Sequence, residues 1–211
     1  MLKHFTEKLK ELLNNPLPAM EAHKKMAPQI RLSSLLKKEP QNARKSAVLI
    51  LFYQKDNELY FPLIKRTDYG GIHGAQYSFP GGKFETNDNT LENTALRETF
   101  EEIGLQVNPN NIIGKLSTLY IPVSNFSVLP VIATIDYSPH FVIDTKEVEF
   151  VAEIPLLKFL DDKAIQMREI KSNFLTFSAP FFVVDNHAIW GATAMILSEL
   201  KEIIKNIQPS F

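Results

Sequence analysis

The spacing of hydrophobic residues changes near residue 46, and the change divides the chain. Before it, Phe5, Leu9, Leu12 and Leu13 recur at helical intervals, and "NNPLPAM" and "KKEPQNARK" then interrupt with prolines and polar residues. Residues 1–43 are therefore expected to form a short helix and an irregular arm that packs on a domain spanning 44–207. From Ser46 onward the pattern turns to β. "SAVLILFY" is a continuous apolar run suited to a buried strand, and "LYFPLIKR" follows it after the turn-like "QKDNE", which predicts a hairpin. "IIGKLSTLYI", "FSVLPVIATI" and "PFFVVD" are further strand candidates, with a helix starting near "IPLLKFL" and a last one through "GATAMILSELKEIIKNI". Mixed helices and strands without an internal repeat predict an α/β or α+β fold layered around one sheet.

Composition limits what such a fold can do. The 211 residues are 45% hydrophobic and 22% charged, enough for one sizeable core with some chain left over. Lysine and arginine total 23 against 24 acidic residues, so no global field draws the protein onto nucleic acid or an anionic membrane, and an anionic ligand has to be held locally. The absence of cysteine removes disulfides, thiolate metal sites and cysteine nucleophiles. No apolar run reaches the roughly 18 residues a membrane span needs. "MLKHFTEKLKELL" is charged where a secretory signal has an apolar centre, so the expected compartment is the cytoplasm.

Candidate chemistry concentrates in "FPGGKFETNDNTLENTALRETFEEIGL", residues 79–105, where a glycine turn runs into a helical segment rich in carboxylates. At about 100° per residue, Leu96, Phe100 and Ile103 share one face while Glu98, Glu101 and Glu102 gather on roughly the opposite one. An acidic solvent face with Arg97 paired to Glu101 is the plain reading of such spacing. The flanking features add another: "FPGG" lets a ligand approach the backbone closely, and Gly104 is placed to cap the helix. Hard oxygen ligands beside such a turn suit Mg²⁺ or Mn²⁺, with substrate phosphates completing the coordination.

"RETFEEIGL" resembles the second half of the Nudix box, G-x5-E-x7-R-E-U-x-E-E-x-G-U, at Arg97, Glu98, Glu101, Glu102, Gly104 and Leu105. The first half departs from it. Counting back from Arg97 puts Lys83 at the glycine and Asn89 at the first glutamate; one inserted residue restores Gly82 and brings Asp88 to the acidic position. The preceding "LIKRTDYGGIHGAQYSFPGGK" is similar to Nudix hydrolases that cleave coenzyme A, matching at Arg66, His73, Gln76, Phe79, Pro80, Gly81 and Gly82. Gly71 and Ala75 stand where that pattern has an arginine and a glycine. "EAHKKMAP", "YIPVSNFSVLPV" and "WGATAMILSEL" also resemble bacterial members of that group.

The resemblance implies a Nudix α/β/α sandwich with a mixed curved sheet, and hydrolysis of a diphosphate joined to a second moiety. Glu98, Glu101 and Glu102 are then the catalytic and metal-binding set for Mg²⁺ or Mn²⁺, with Arg66, His73, Gln76, Gly81, Gly82 and Lys83 on the substrate. Water is the expected nucleophile, and Glu147, Glu149 and Glu153 are alternative bases to Glu101. Arg97 reads as a structural tie, Tyr120 to Phe126 as a substrate-side loop or an ordinary turn, and Trp190 as a core residue more often than an adenine platform. The implied partner is a CoA-like small-molecule diphosphate, with neither nucleic acid nor membrane, and a homodimer stays open. Two alternatives stand beside CoA cleavage: hydrolysis of ADP-ribose, dinucleoside polyphosphates or oxidised nucleotides, and a non-catalytic Nudix-like module that senses a ligand.

Overall fold

The computed structural model describes residues 1–35, 38–67, 76–171, 176–205 and 207. The chain begins with α1 (Leu2–Leu13), whose Phe5 and Leu9 are buried, and continues through α2 (Ala19–Lys25) and the single turn α3 (Leu32–Leu35). Sequence reading expects an irregular arm here; α2 forms because tertiary contacts hold it. The Ser198 hydroxyl donates to the Ala22 carbonyl at 2.7 Å, and His23 and the Ala19 N–H both meet the buried Glu199 carboxylate.

The sheet is built on β1 (Arg44–Lys55) and β2 (Glu58–Arg66), joined by Asp56 and Asn57 at φ 49° and 60°. Two consecutive left-handed residues make the tight turn whose twist matches antiparallel strands. Next come β3 (Tyr77–Ser78), β4 (Gly81–Lys83), α4 (Leu91–Ile103), β5 (Ile112–Lys115), β6 (Leu119–Ile121) and β7 (Phe126–Thr134). Strand β8 (Val148–Pro155), not singled out in the sequence, pairs with β2, and α5 (Leu156–Leu160) follows it. A second sheet of β9 (Ile165–Lys171), β10 (Thr176–Val184) and β11 (His187–Ile189) precedes α6 (Gly191–Ile204). Among the described residues the main sheet has eight strands and is mixed: β1 runs parallel to β7 and antiparallel to β2 and β4.

"IIGKLSTLYI" reads as one strand but forms two, β5 and β6, both antiparallel to β7. The break falls where the Ser117 N–H leaves the ladder for Glu199, at 3.2 and 3.3 Å from its two oxygens.

The alternation of β1 sets up the two faces of the sandwich. Ala47, Leu49, Leu51 and Tyr53 pack with Ala95, Ile103, Leu105 and Val107 under α4. Ile50 and Phe52 face the other way into a core shared with Phe5, Leu9, Leu197 and Leu200, so α1 and α6 cover that side. The Phe5 and Phe52 rings meet edge to face at 4.9 Å. Burial of each such side chain contributes about 1.5–3 kcal/mol.

Candidate active site

Helix α4 is framed at both ends by its own sequence. Thr90 accepts the Asn93 N–H at 3.2 Å, and Gly104, at φ 67°, returns its N–H to the Phe100 carbonyl at 2.9 Å. Its orientation corrects the helical-wheel reading. The buried residues are Thr94, Ala95, Thr99, Glu102 and Ile103, whereas Phe100 is 55% exposed and Leu96 half-buried. The small Ala95 and Thr99 let the helix lie close against β1 and β4, which turns Glu102 inward and Phe100 outward.

That rotation carries Glu102 under the glycine turn. Gly81 pairs with Val48 of β1 and donates its N–H to Glu102 Oε2 at 2.8 Å. The other oxygen, Oε1, is buried without a hydrogen-bond partner; the Arg66 guanidinium stands 3.4 Å away without hydrogen-bond alignment. Burial pushes the Glu102 carboxyl up to about 7, against the opposing pull of Arg66 and of the Gly81 N–H. Burial also raises the Glu98 carboxyl, here opposed by Arg97. Gly82 makes room for it, since a Cβ there would lie 2.5 Å from the Glu98 carboxylate.

Arg97 organises the outer side. It donates to Asp88 from Nε and Nη2 at 2.7 and 3.1 Å, and from Nη2 to the Lys83 carbonyl at 3.0 Å. Its Nη1 lies 2.8 Å from Glu101 and 3.0 Å from Glu98. Asp88 is buried and also accepts from Thr94 and from the Glu85 N–H, and Arg97 foremost holds its carboxyl down at about 2. The acid of the inserted turn thus fastens turn to helix.

The predicted site residues come together unequally. Arg66, Gln76, Gly81, Gly82, Lys83 and Glu98 line one cavity of about 550 Å³. Glu102 lies buried behind it, and Glu101 stays on the half-exposed outer side with Arg97. His73, Gly71 and Ala75 lie outside the described residues. Of the three downstream carboxylates, Glu147 lines the cavity, 3.8 Å from Arg66. Glu153 is committed elsewhere, to Tyr53 and Lys55, and Glu149 is exposed on β8. No motif marks Glu147; only its place just before β8, whose first residue Val148 pairs with Arg66 of β2, brings it in.

The rest of the cavity is mostly apolar, with Ser46, Ser78, Ser124 and Thr193 among its lining. Tyr120, Ile121, Pro122 and Phe126 form one wall, and Trp190 and Met195 of the α6 end form another. Trp190 also stacks on Phe181 at 5.9 Å, so it belongs both to the packing and to the cavity.

Among the described residues no three acidic or histidine side chains stand as close together as a coordinated ion requires, and Arg97 and Arg66 lie in ion pairs with the carboxylates. The donor set nevertheless fits a hard divalent cation. Glu102 Oε1 is a buried anionic oxygen lacking a partner, and Glu98 lies beside it against bare backbone. Among the described residues no helix is long and apolar enough to cross a membrane.

Comparison with known proteins agrees with this geometry. The family model described as the NUDIX domain matches residues 43–174. Relatives described as "Uncharacterized Nudix hydrolase NudL", from Yersinia pestis (strain Pestoides F) and Yersinia pseudotuberculosis serotype O:1b (strain IP 31758), are 30% identical over 159 residues, covering 75% of this chain and 79% of theirs. In fold the chain is similar to a MutT/nudix family protein from Enterococcus faecalis, with TM-score 0.56, 15% identity and coverage of 93% of this chain and 78% of that one. It is also similar to the Nudix hydrolase RenU from M. Smegmatis, with TM-score 0.52, 16% identity and coverage of 79% and 88%. The carboxylate helix locked beneath a diglycine turn, the family model over most of the chain and the 30% identical relatives lead to one conclusion: the chain belongs to the Nudix family and is a pyrophosphohydrolase acting on a diphosphate.

Proposed function

We propose that this chain hydrolyses the diphosphate of coenzyme A or a CoA derivative, using Mg²⁺ or Mn²⁺ and releasing 3',5'-ADP and 4'-phosphopantetheine. The observation that carries the reading is the two-ended cavity: Glu98, Glu147 and Arg66 at one end, and the apolar walls around Phe126 and Trp190 at the other. A diphosphate needs the first; of the two apolar walls, the one at Trp190 suits a long, weakly polar arm and the one at Phe126 a nucleoside.

Glu98, Glu101 and Glu102 are the proposed ligands of the ion. When bound, it neutralises charge on the diphosphate oxygens and acidifies the attacking water. Arg66 gives the diphosphate a cation already held between two carboxylates, and the Gly81–Gly82 backbone lets it approach without side-chain obstruction. Water adds to one phosphorus as the bridging P–O bond breaks, and a carboxylate takes its proton. Glu147 is suited to that transfer, since it lines the cavity and, among the described residues, its ion-pair partner is Arg66 at 3.8 Å, with no direct hydrogen bond to hold it.

A panel of CoA, acyl-CoA, ADP-ribose and dinucleoside polyphosphates with each metal, products identified by mass, tests the reading. Cleavage of CoA or an acyl-CoA to 3',5'-ADP with the highest kcat/KM is expected. A kcat/KM for ADP-ribose or a dinucleoside polyphosphate far above that for CoA overturns the substrate and leaves the Nudix chemistry in place.

A further inference from the structure

We infer that Arg44 is a second anion-binding point of the substrate site, one that takes a phosphate monoester remote from the scissile diphosphate; the inference rests on the CoA reading. Arg44 opens β1, and the alternation of that strand puts it on the same face as Ser46 and Val48, both of which line the cavity. The parallel neighbour repeats this arrangement, since Arg44 pairs with Phe126 and Ser46 with Val128, two more lining residues. The two strands under the cavity therefore carry a guanidinium just beyond its lining, against Phe126 and Ser124.

The guanidinium is oriented before any ligand arrives. Its carbon lies 4.0 Å from the centre of the Phe126 ring, and Nη2 donates to the Ser124 carbonyl at 2.5 Å. The turn that offers this carbonyl is itself fixed. The Arg44 N–H donates to the Asn125 carbonyl, Asn125 Nδ2 to the Asn42 carbonyl, and the Tyr120 hydroxyl to Asn125 Oδ1 at 3.0 Å. A planar cation stacked on an aromatic ring retains free N–H donors for a phosphate.

Charge balance separates this arginine from the other two arginines at the site. Arg66 faces Glu102 and Glu147, Arg97 faces Asp88, Glu98 and Glu101, and the neighbouring Lys45 is held by Glu39. Among the described residues no carboxylate pairs with Arg44, which is exposed at the rim. It also stands apart from the diphosphate end. Val48 is the β1 residue opposite Gly81, and four residues of strand place Arg44 roughly 13 Å farther along. A ligand with phosphate only at the diphosphate leaves Arg44 unused; one with a further phosphate on its nucleoside engages both ends.

The test compares CoA with dephospho-CoA, which differs only by the 3'-phosphate, on wild-type protein and on Arg44→Ala and Arg44→Lys. For Arg44→Ala, kcat/KM for CoA is expected to fall about 10- to 100-fold, the loss of a charged hydrogen bond, through KM with kcat retained. Turnover of dephospho-CoA is expected to stay near wild type, which also reports that the variant is folded. Arg44→Lys keeps the charge without the planar stack and should fall between the two. Equal losses on both substrates, or none, overturn the role of Arg44 while leaving CoA hydrolysis standing. A wild-type protein that cleaves neither substrate overturns the CoA reading and this inference with it.

Discussion

Adjacent glycines of the diglycine turn should fail in different ways when each is given a methyl group. At Gly82 a Cβ would sit 2.5 Å from Cδ and Oε1 of Glu98 and 2.6 Å from Oε2. Carbon atoms in contact need about 3.5–4.0 Å, so the Glu98 carboxylate has to move by about 1 Å or more. It sits at the end of a flexible side chain, so Gly82→Ala should retain its fold and thermal midpoint. A displacement of ~1 Å in a group that positions the reaction costs on the order of 10²-fold in rate, and that loss is expected in kcat at saturating metal. At Gly81 the same methyl would lie 2.3 Å from the Ala47 carbonyl oxygen and 2.5 Å from the Val48 Cα, in the backbone of β1, at φ 152°. Strain there costs about 1–3 kcal/mol, and overpacking about 1–3 kcal/mol more, a large part of the roughly 5–15 kcal/mol that holds a domain together. Gly81→Ala should therefore show a markedly lower unfolding midpoint. Steady-state turnover beside thermal denaturation of the two variants separates the effects. Full activity in a folded Gly82→Ala variant would refute the placement of Glu98 in the reacting machinery.

Three other outcomes follow from named contacts. Glu102→Gln removes the anionic ligand while keeping its shape, so hydrolysis should fall by at least about two orders of magnitude, whereas Glu85→Gln should change it little; wild-type turnover in both Glu98→Gln and Glu102→Gln would show the ligand assignment to be wrong. The Asp88 carboxyl is held at about 2, below its usual 3.8, so its contribution is present above roughly pH 4 and disappears as pH falls through about 2. On the order of 2 kcal/mol is at stake, and acid unfolding of Asp88→Asn should lack that step while wild type shows it. Glu199→Ala leaves the Ala19 and Ser117 N–H groups and His23 without their buried acceptor, at about 1–3 kcal/mol for each orphaned donor; an unchanged urea midpoint would contradict that accounting.

Local pattern and long-range contact account for what the sequence did and did not disclose. The β1–β2 hairpin was legible because "QKDNE" carries the Asp-Asn pair that accepts left-handed backbone at the turn. Helix α4 was legible from its apolar spacing and its terminal glycine. Strand β8 was not, since "EVEFVAEIP" mixes acidic with apolar residues and its order comes from pairing to β2. The break between β5 and β6 was equally hidden. It depends on Glu199, 82 residues away from Ser117 along the chain. A carboxylate at that distance leaves no local signature, yet it also fixes α2 through Ala19 and His23.

At the site, spacing located the carboxylates but misjudged which of them faces inward. A helical wheel scores apolar residues as core, so it put Phe100 inside and Glu102 outside; the reverse holds because the Gly81 N–H needs an acceptor where α4 meets the turn. The irregular first half of the motif has a similar explanation. With one residue inserted, the acidic position falls to Asp88 at the end of a turn spanning Thr86–Asp88. A shorter side chain still reaches Arg97 there at 2.7 Å, because the turn brings its backbone up to the helix. Arg97 in turn holds the Lys83 carbonyl at 3.0 Å, so the ion pair anchors the end of β4, the strand that carries both glycines. The requirement at this position is therefore an anion able to fasten the glycine turn to α4. Its distance from the backbone can vary with loop length, whereas the carboxylates at 98 and 102 are fixed by the pitch of the helix. An insertion is tolerated in the turn on this account, and one between Arg97 and Glu102 would rotate Glu102 away from Gly81 by about 100° and dismantle the site.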